Sequence, residues 1–252
     1  MAKIISICNR KGGVGKTVTA VNLGAYLAAL GKYVLLVDLD PQANATSGVG
    51  IILENLEKSI YHSLIGDVHP KDIIKKTRIF GYDAMPSSFD LAGATVELVN
   101  LENREYNLLN VLDRIRLNYD YIIIDCPPSL ELLTINGLVA ADEVIIPVQC
   151  EYYSLRGLNQ MLEAIKLIQE NLKQDLKVAG TLLTMYDGKI ELAREVRREV
   201  EKNFPGNVFQ TIIPRDVKLA EAPAFGKTIL QYDHKSDGAK AYFKLAKEVL
   251  NL

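Results

Sequence analysis

Two lysines, Lys11 and Lys16, bracket three glycines in the run Lys11-Gly12-Gly13-Val14-Gly15-Lys16-Thr17. Ammonium groups, a backbone cleared of side chains and a hydroxyl, at this spacing, are the means of holding a polyphosphate. Consecutive backbone N–H groups and the N-terminus of a following helix point at the anion, and glycine permits its close approach. Lys16 is spaced to reach the terminal phosphates and the Thr17 hydroxyl to ligate Mg²⁺. A glycine-rich turn with no ligand is the plain alternative. It does not account for the apolar run Ile4-Ile-Ser-Ile-Cys8 in front of the loop or the helical pattern that Val18 continues behind it.

Two further segments end in carboxylates. Val34-Leu-Leu-Val-Asp38-Leu-Asp40-Pro41-Gln42 and Tyr121-Ile-Ile-Ile-Asp125-Cys-Pro-Pro-Ser129 each read as a buried strand with acid at its tip and proline beyond. Aspartates at strand ends are often only turn or cap residues. With a phosphate loop in the same chain, Asp125 is expected to coordinate Mg²⁺. Phosphoryl transfer to water needs positioning and charge compensation more than covalent chemistry, and Asp40 is assigned to orient the attacking water. Arg10 stands where the usual P-loop pattern has glycine, and Lys11 is an additional cation. One lysine already serves the phosphates, so Lys11 is expected to reach a nucleotide held by a second subunit.

These groups must be brought to one edge, and the rest of the sequence supplies the elements. Val34–Asp38, Tyr121–Asp125, Val144–Val148, Val178–Thr184 and Val208–Ile213 are short apolar runs rich in β-branched residues, with Tyr82–Met85 a fainter one. They read as strands buried on both faces. Helical patterns fill 16–30, 91–117, 130–140, 154–171, 189–203 and 237–251. The expected architecture is α/β, a single doubly wound and mostly parallel sheet flanked by helices, with 1–252 as one domain. Ligands of such sheets sit beyond the carboxyl ends of the strands, where the glycine loop, Asp38, Asp40 and Asp125 all fall.

Composition narrows the class. With 48% hydrophobic and 24% charged residues the chain reads as a soluble globular protein. No apolar run approaches the ~18 residues of a membrane span, and Met1-Ala-Lys-Ile leads directly into a strand, so a cytoplasmic location is expected. Cys8, Cys126 and Cys150 lack CxxC spacing, and His62, His69 and His234 do not cluster with them, which argues against a structural zinc site. Residues 1–172 are net acidic and residues 173–252 net basic.

The glycine run resembles the deviant Walker A motif of the ParA/MinD ATPase superfamily, with Lys11 at its signature lysine. Further blocks resemble the chromosomal ParA (Soj-type) partition ATPases across essentially the whole chain. They are Asp38-Leu-Asp-Pro-Gln-Ala-Asn-Ala-Thr46, Pro86-Ser-Ser-Phe-Asp-Leu-Ala-Gly93, Asp125-Cys-Pro-Pro-Ser-Leu130, Ile146-Pro-Val-Gln-Cys-Glu-Tyr-Tyr153, Leu183-Thr-Met-Tyr-Asp187 and Ile213-Pro-Arg-Asp-Val-Lys-Leu-Ala-Glu-Ala-Pro223. The resemblance implies an ATP-dependent homodimer with two nucleotides between the subunits. Lys11 would contact the partner's ATP, Lys16 and Thr17 would hold phosphate and Mg²⁺, Asp40 would be needed for hydrolysis, and Asp38 and Asp125 would line the metal and switch regions. Adenine would be met by the Pro214–Asp216 segment. The ATP dimer would bind double-stranded DNA without sequence preference, placing it on the nucleoid, and a ParB-type centromere-binding protein would stimulate slow hydrolysis and release. The chain departs from the family with Arg10, Val18 and Arg156, none of which removes a phosphate or metal ligand.

The family's DNA-binding arginines fall at Lys189 and Lys218, where lysine keeps the charge and loses bidentate geometry. Between 189 and 204, Leu192, Val196, Val200 and Phe204 recur every four residues and are expected to face the core. Arg194, Arg197 and Arg198 then project outward, interleaved with Glu191, Glu195 and Glu199, as a solvated face or a DNA surface. Three competing functions share the loop. A MinD-like membrane-associated, division-site-positioning ATPase would need a C-terminal amphipathic anchor, whereas Leu245, Val249 and Leu252 form an ordinary packing stripe; no stable membrane association is expected. A cluster carrier would need cysteine ligands that the spacing does not offer. A small-molecule ligase or kinase would need a second substrate pocket. No helix-turn-helix precedes Lys3, so sequence-specific repression is not expected.

Overall fold

In the computed structural model, which describes residues 1–99, 101–151 and 154–252, apolar runs and helical patterns alternate along the chain. The first half runs β1 (Lys3–Ile7), α1 (Lys16–Ala29), β2 (Val34–Asp38), α2 (Asn44–Gly48), α3 (Ile60–Leu64), α4 (Pro70–Ile73), β3 (Lys75–Lys76), β4 (Tyr82–Met85), α5 (Leu91–Leu98) and α6 (Asn107–Asp113). The second runs β5 (Tyr121–Asp125), α7 (Leu132–Val139), β6 (Glu143–Gln149), α8 (Ser154–Asn171), β7 (Lys177–Thr184), α9 (Glu191–Asn203), α10 (Val217–Glu221), α11 (Ile229–Tyr232) and α12 (Asp237–Leu250). Tyr152 and Tyr153, and the side chain of Arg156, lie outside the described residues.

The strands form one seven-stranded sheet in the order β3-β4-β2-β5-β1-β6-β7, parallel except for β3. Alternation along each strand divides the core into two layers. Ile4, Leu35, Val37, Ile122, Ile124, Val144 and Ile146 face one side, packed with Leu98, Leu112, Leu138 and Met161 from α5 to α8. Ile5, Ile7, Val34, Leu36, Ile123 and Ile145 face the other, packed with Leu23 and Leu27 of α1 and Tyr242 and Leu245 of α12. Strands apolar on both faces therefore take helices on both faces. β1 lies between β5 and β6, so the chain builds the sheet outward in both directions from β1. The crevice at that reversal is where a doubly wound sheet binds its ligand.

Four expectations need correction. Val208–Ile213 does not form a continuous strand: it meets β7 at its two ends, where the Phe209 N–H donates to the Thr181 carbonyl (3.0 Å) and the Ile213 N–H to the Leu183 carbonyl (2.9 Å), with isolated bridges at Thr181–Val208 and Tyr186–Pro214. Between those bridges the Glu248 carboxylate takes the N–H groups of Gln210 (2.7 Å) and Thr211 (3.1 Å), a charge-assisted competitor to the ladder. The 91–117 helix is broken into α5 and α6, with Asn103 at φ +57° between them, a left-handed conformation in which no helix continues. In α9, Val196 and Val200 are buried, but Leu192 is 41% exposed and Ala193 occupies the core instead. Likewise Leu245 and Val249 of α12 are buried, whereas Leu252 is exposed.

Candidate active site

The loop joining β1 to α1 is shaped by its own backbone and by two neighbouring strands. Gly13 (φ +72°) and Gly15 (φ +88°) take left-handed conformations that a side chain would strain. Asn9, buried, donates from Nδ2 to the Pro147 carbonyl (2.7 Å), and its Oδ1 accepts the Lys11 N–H (3.0 Å). Thr184, at the end of β7, donates its hydroxyl to the Val14 carbonyl (2.8 Å). The loop is thus pinned to β6 on one side and β7 on the other, with its glycines turned to a cavity of about 530 Å³.

That cavity is lined by Gly12, Gly13, Gly15, Lys16, Thr17 and Asp40, among others, so the residues expected to hold phosphate come together. Lys16 is buried, its Nζ donating to the Lys11 carbonyl (3.1 Å). Burial pushes its pKa down from the usual range, and Asp125 opposes that shift. An ammonium in that position gains from a bound anion. Lys11 does not line the cavity; its Nζ meets Glu151 Oε2 at 3.1 Å. Val18 lines this cavity and a second one of about 300 Å³, shared with Gly15 and Met185 and closed by Ile213, Pro214 and Leu219. A slot with apolar walls beside a phosphate cradle suits a planar base. Pro214 and Asp216 both line it, but the Asp216 carboxylate is taken by the N–H groups of Lys218 (2.9 Å) and Gly238 (2.8 Å). Asp216 shapes the slot by fixing its walls.

The three aspartates do different work. Asp38 and Asp125 are register partners at the tips of β2 and β5. Asp38 accepts the Thr46 N–H and hydroxyl on Oδ2 (both 2.7 Å) and the Asp40 N–H on Oδ1 (3.2 Å). Thr46 Oγ1 in turn accepts the Ser87 N–H (3.0 Å), tying the 38–46 block to the 86–93 block. Burial pushes the Asp38 pKa up to about 6 against these hydrogen bonds. Asp40 accepts the Gln42 N–H (2.9 Å) and faces the cavity. Asp125 is fully buried, and neither carboxylate oxygen finds a hydrogen-bond partner of good geometry. Burial and then the Asp38 charge raise its pKa, while neighbouring Thr17 and Lys16 favour the ionised form.

A buried carboxylate left without a partner is costly, and a cation is the group that it fits. Thr17 offers a hydroxyl beside it. Among the described residues no group of three or more His, Cys, Asp and Glu could enclose a metal by itself. The donor set therefore fits Mg²⁺, which keeps waters and takes its remaining oxygens from a nucleotide. Asp125 is the carboxylate available to that ion; Asp38, with its oxygens already engaged, orders Thr46 and Asp40. Glu151, Asn9, Thr46 and Met185 were not singled out from the sequence. Glu151, Thr46 and Met185 stand inside quoted motif blocks, and only the fold supplies their partners.

The candidate DNA surface is assembled less tightly. Lys189 is exposed ahead of α9, its N–H donating to Asp187 Oδ1 (2.9 Å). Arg194 donates to the Gly188 carbonyl (2.7 Å), Arg197 pairs with Glu201 (2.7 Å) and lies over the Tyr186 ring, and Arg198 is exposed. Lys218, on α10, pairs with Glu221 (2.9 Å) and lies over the Tyr232 ring. The Arg215 N–H donates to the Tyr186 carbonyl (3.0 Å), so the loops entering α9 and α10 lie side by side.

Comparison with known proteins agrees with this geometry. A family model described as an AAA domain matches residues 2–178. The chain is 55% identical over 249 residues to the sporulation initiation inhibitor protein Soj of Bacillus subtilis, covering 99% of this chain and 98% of that one. It is 49% identical over 250 residues to the chromosome partitioning protein ParA of Myxococcus xanthus, covering 99% and 88%. Among solved structures it is similar to one named cobyrinic acid a,c-diamide synthase from Mycobacterium smegmatis, with bound ATP analogue and magnesium. That likeness has a TM-score of 0.89 and 38% identity, covering 100% of this chain and 95% of that one. With a glycine loop, a buried carboxylate and two adjoining cavities at the switch point of the sheet, and with these relatives, the chain belongs to the ParA/Soj family of chromosome-partitioning P-loop ATPases.

Proposed function

We propose that the chain is a segregation ATPase that Mg-ATP converts into a DNA-binding dimer, and that a ParB-type partner resets it by stimulating hydrolysis. The observation that carries this reading is the position of Lys11. A lysine built into the phosphate loop, yet turned out of its own cavity, supports a role toward a nucleotide on a facing subunit. ATP would lie with its phosphates on the Gly12–Thr17 backbone and its base in the slot beside Pro214. Mg²⁺, bound by Thr17 and Asp125, would neutralise the charge developing on the phosphates. Asp40 orients the attacking water, Lys16 follows the charge on the terminal phosphate, and Lys11 of the opposite subunit completes the charge compensation. Hydrolysis breaks the bond to the bridging oxygen and releases phosphate and ADP.

Lys189, Arg194, Arg197, Arg198 and Lys218 supply a surface for the phosphates of double-stranded DNA, where charge matters more than base geometry. Nucleoid association follows from that surface. Among the described residues no helix is long and apolar enough to cross a membrane, and the apolar stripe of α12 is spent in the core. The synthase name borne by one similar structure favours a small-molecule ligase as a second reading. The test is ATP turnover measured alone, with unrelated DNA, with a ParB-type protein and with both. Joint stimulation supports a partition ATPase; turnover indifferent to both but raised by a carboxylate acceptor and an amine donor supports the ligase.

A further inference from the structure

Lys11 is gripped at both ends. Its ammonium meets Glu151 Oε2 at 3.1 Å, and the other Glu151 oxygen accepts from Gln149 Nε2 at 2.7 Å. Its carbonyl accepts from Lys16 Nζ at 3.1 Å, and its N–H rests on Asn9 Oδ1 at 3.0 Å. Glu151 lies two residues beyond the end of β6, the strand beside β1, so the hold on the side chain comes from the loop leaving a neighbouring strand of the same subunit.

We infer that Glu151 is a positioning residue for the ATPase: it parks Lys11 within its own subunit until the nucleotide of a second subunit offers a stronger anion. The inference rests on the proposed action of Lys11 in trans. Two holds imply two releases. Nucleotide arriving in the cavity draws Lys16 Nζ toward its terminal phosphates and loosens the grip on the Lys11 carbonyl. The Glu151 pair remains, and it is broken when a facing triphosphate, more highly charged than one carboxylate, takes the ammonium. The two side chains are 34% and 49% exposed, which makes the pair weak and readily exchanged. Glu151 therefore sets the nucleotide level at which the dimer forms without forming part of the phosphate site.

The test is the concentration of ATPγS, a slowly hydrolysed analogue, that gives half-maximal dimer by analytical ultracentrifugation. Glu151→Gln is expected to lower that midpoint about two- to fivefold at low salt, the range of an exposed ion pair, and less at high salt. Glu151→Asp is expected to restore the original midpoint, and all variants to melt at the same temperature. In a Lys11→Ala background Glu151→Gln is expected to change nothing, which separates the pairwise contact from a structural effect. A dimer whose midpoint is unmoved or raised by Glu151→Gln overturns the tether alone. Absence of an ATPγS dimer in the unsubstituted chain overturns the trans-acting lysine, and the tether with it.

Discussion

The crevice at the tips of β1, β2 and β5 and the outer face of α9 are both rich in charge, yet they are built in opposite ways. In the crevice Lys16, Asp38, Asp40 and Asp125 are all buried, and the frame around them is held by hydrogen bonds between elements, as Asp38 takes the Thr46 hydroxyl and the Val14 carbonyl takes that of Thr184. On α9 the arginines are exposed or half-exposed and meet partners a few residues away, as Arg197 meets Glu201. Chemistry at phosphorus depends on atoms held in place, so the protein accepts the cost of buried charge there. If α9 serves DNA as proposed, binding a uniform polyanion depends on charge that is free to follow the phosphates, so weak local pairs suffice. One region is sensitive to geometry, the other to salt.

That contrast can be broken from either side. The largest effect is expected at the crevice: Lys16→Ala lowers ATP turnover at least about a hundredfold, the loss typical of removing a charge-stabilising donor. Asp40→Ala is expected to lower turnover by a similar order while nucleotide affinity, measured by calorimetry, changes little. The next effect is on stability. Asp38 has its pKa raised to about 6 in the fold from an ordinary 3.8, so the native state binds the proton more tightly. Its contribution is fully present below about pH 4 and is lost as pH rises through about 6, a difference of roughly 3 kcal/mol. In metal-free protein, Asp38→Asn should therefore gain stability relative to the parent chain between about pH 4 and pH 6, read from paired denaturant melts. A constant offset between the two across that window contradicts the assignment. The smallest effect is expected on α9: Arg198→Ala or Lys189→Ala weakens DNA binding modestly and reduces the salt slope by about one, at unchanged ATP affinity.

The same division explains what could be read in the sequence. The phosphate loop was legible because its residues are contiguous and its glycines are required by backbone conformation at Gly13 and Gly15. β2 and β5 were legible because they are apolar on both faces, and proline follows each terminal acid. Glu151 was not legible as the partner of Lys11, since the two are 140 residues apart and only the adjacency of β1 and β6 brings them together. The supposed strand at Val208–Ile213 has the right composition, but Glu248, far along the chain, captures the N–H groups of Gln210 and Thr211 at its centre. The two-residue β3, Lys75–Lys76, is exposed and charged, so no pattern announces it.

The central claim, an ATP-gated dimer that binds DNA, is tested most directly by DNA co-sedimentation with ATP, ADP and no nucleotide. The unsubstituted chain, Lys16→Ala, Gly12→Val and Asp40→Ala are compared at low salt. The account predicts sedimentation with unrelated DNA only in ATP, lost in Lys16→Ala and Gly12→Val and retained in Asp40→Ala. Failure of the unsubstituted chain to sediment with DNA in ATP, or equal sedimentation with ADP, would contradict it.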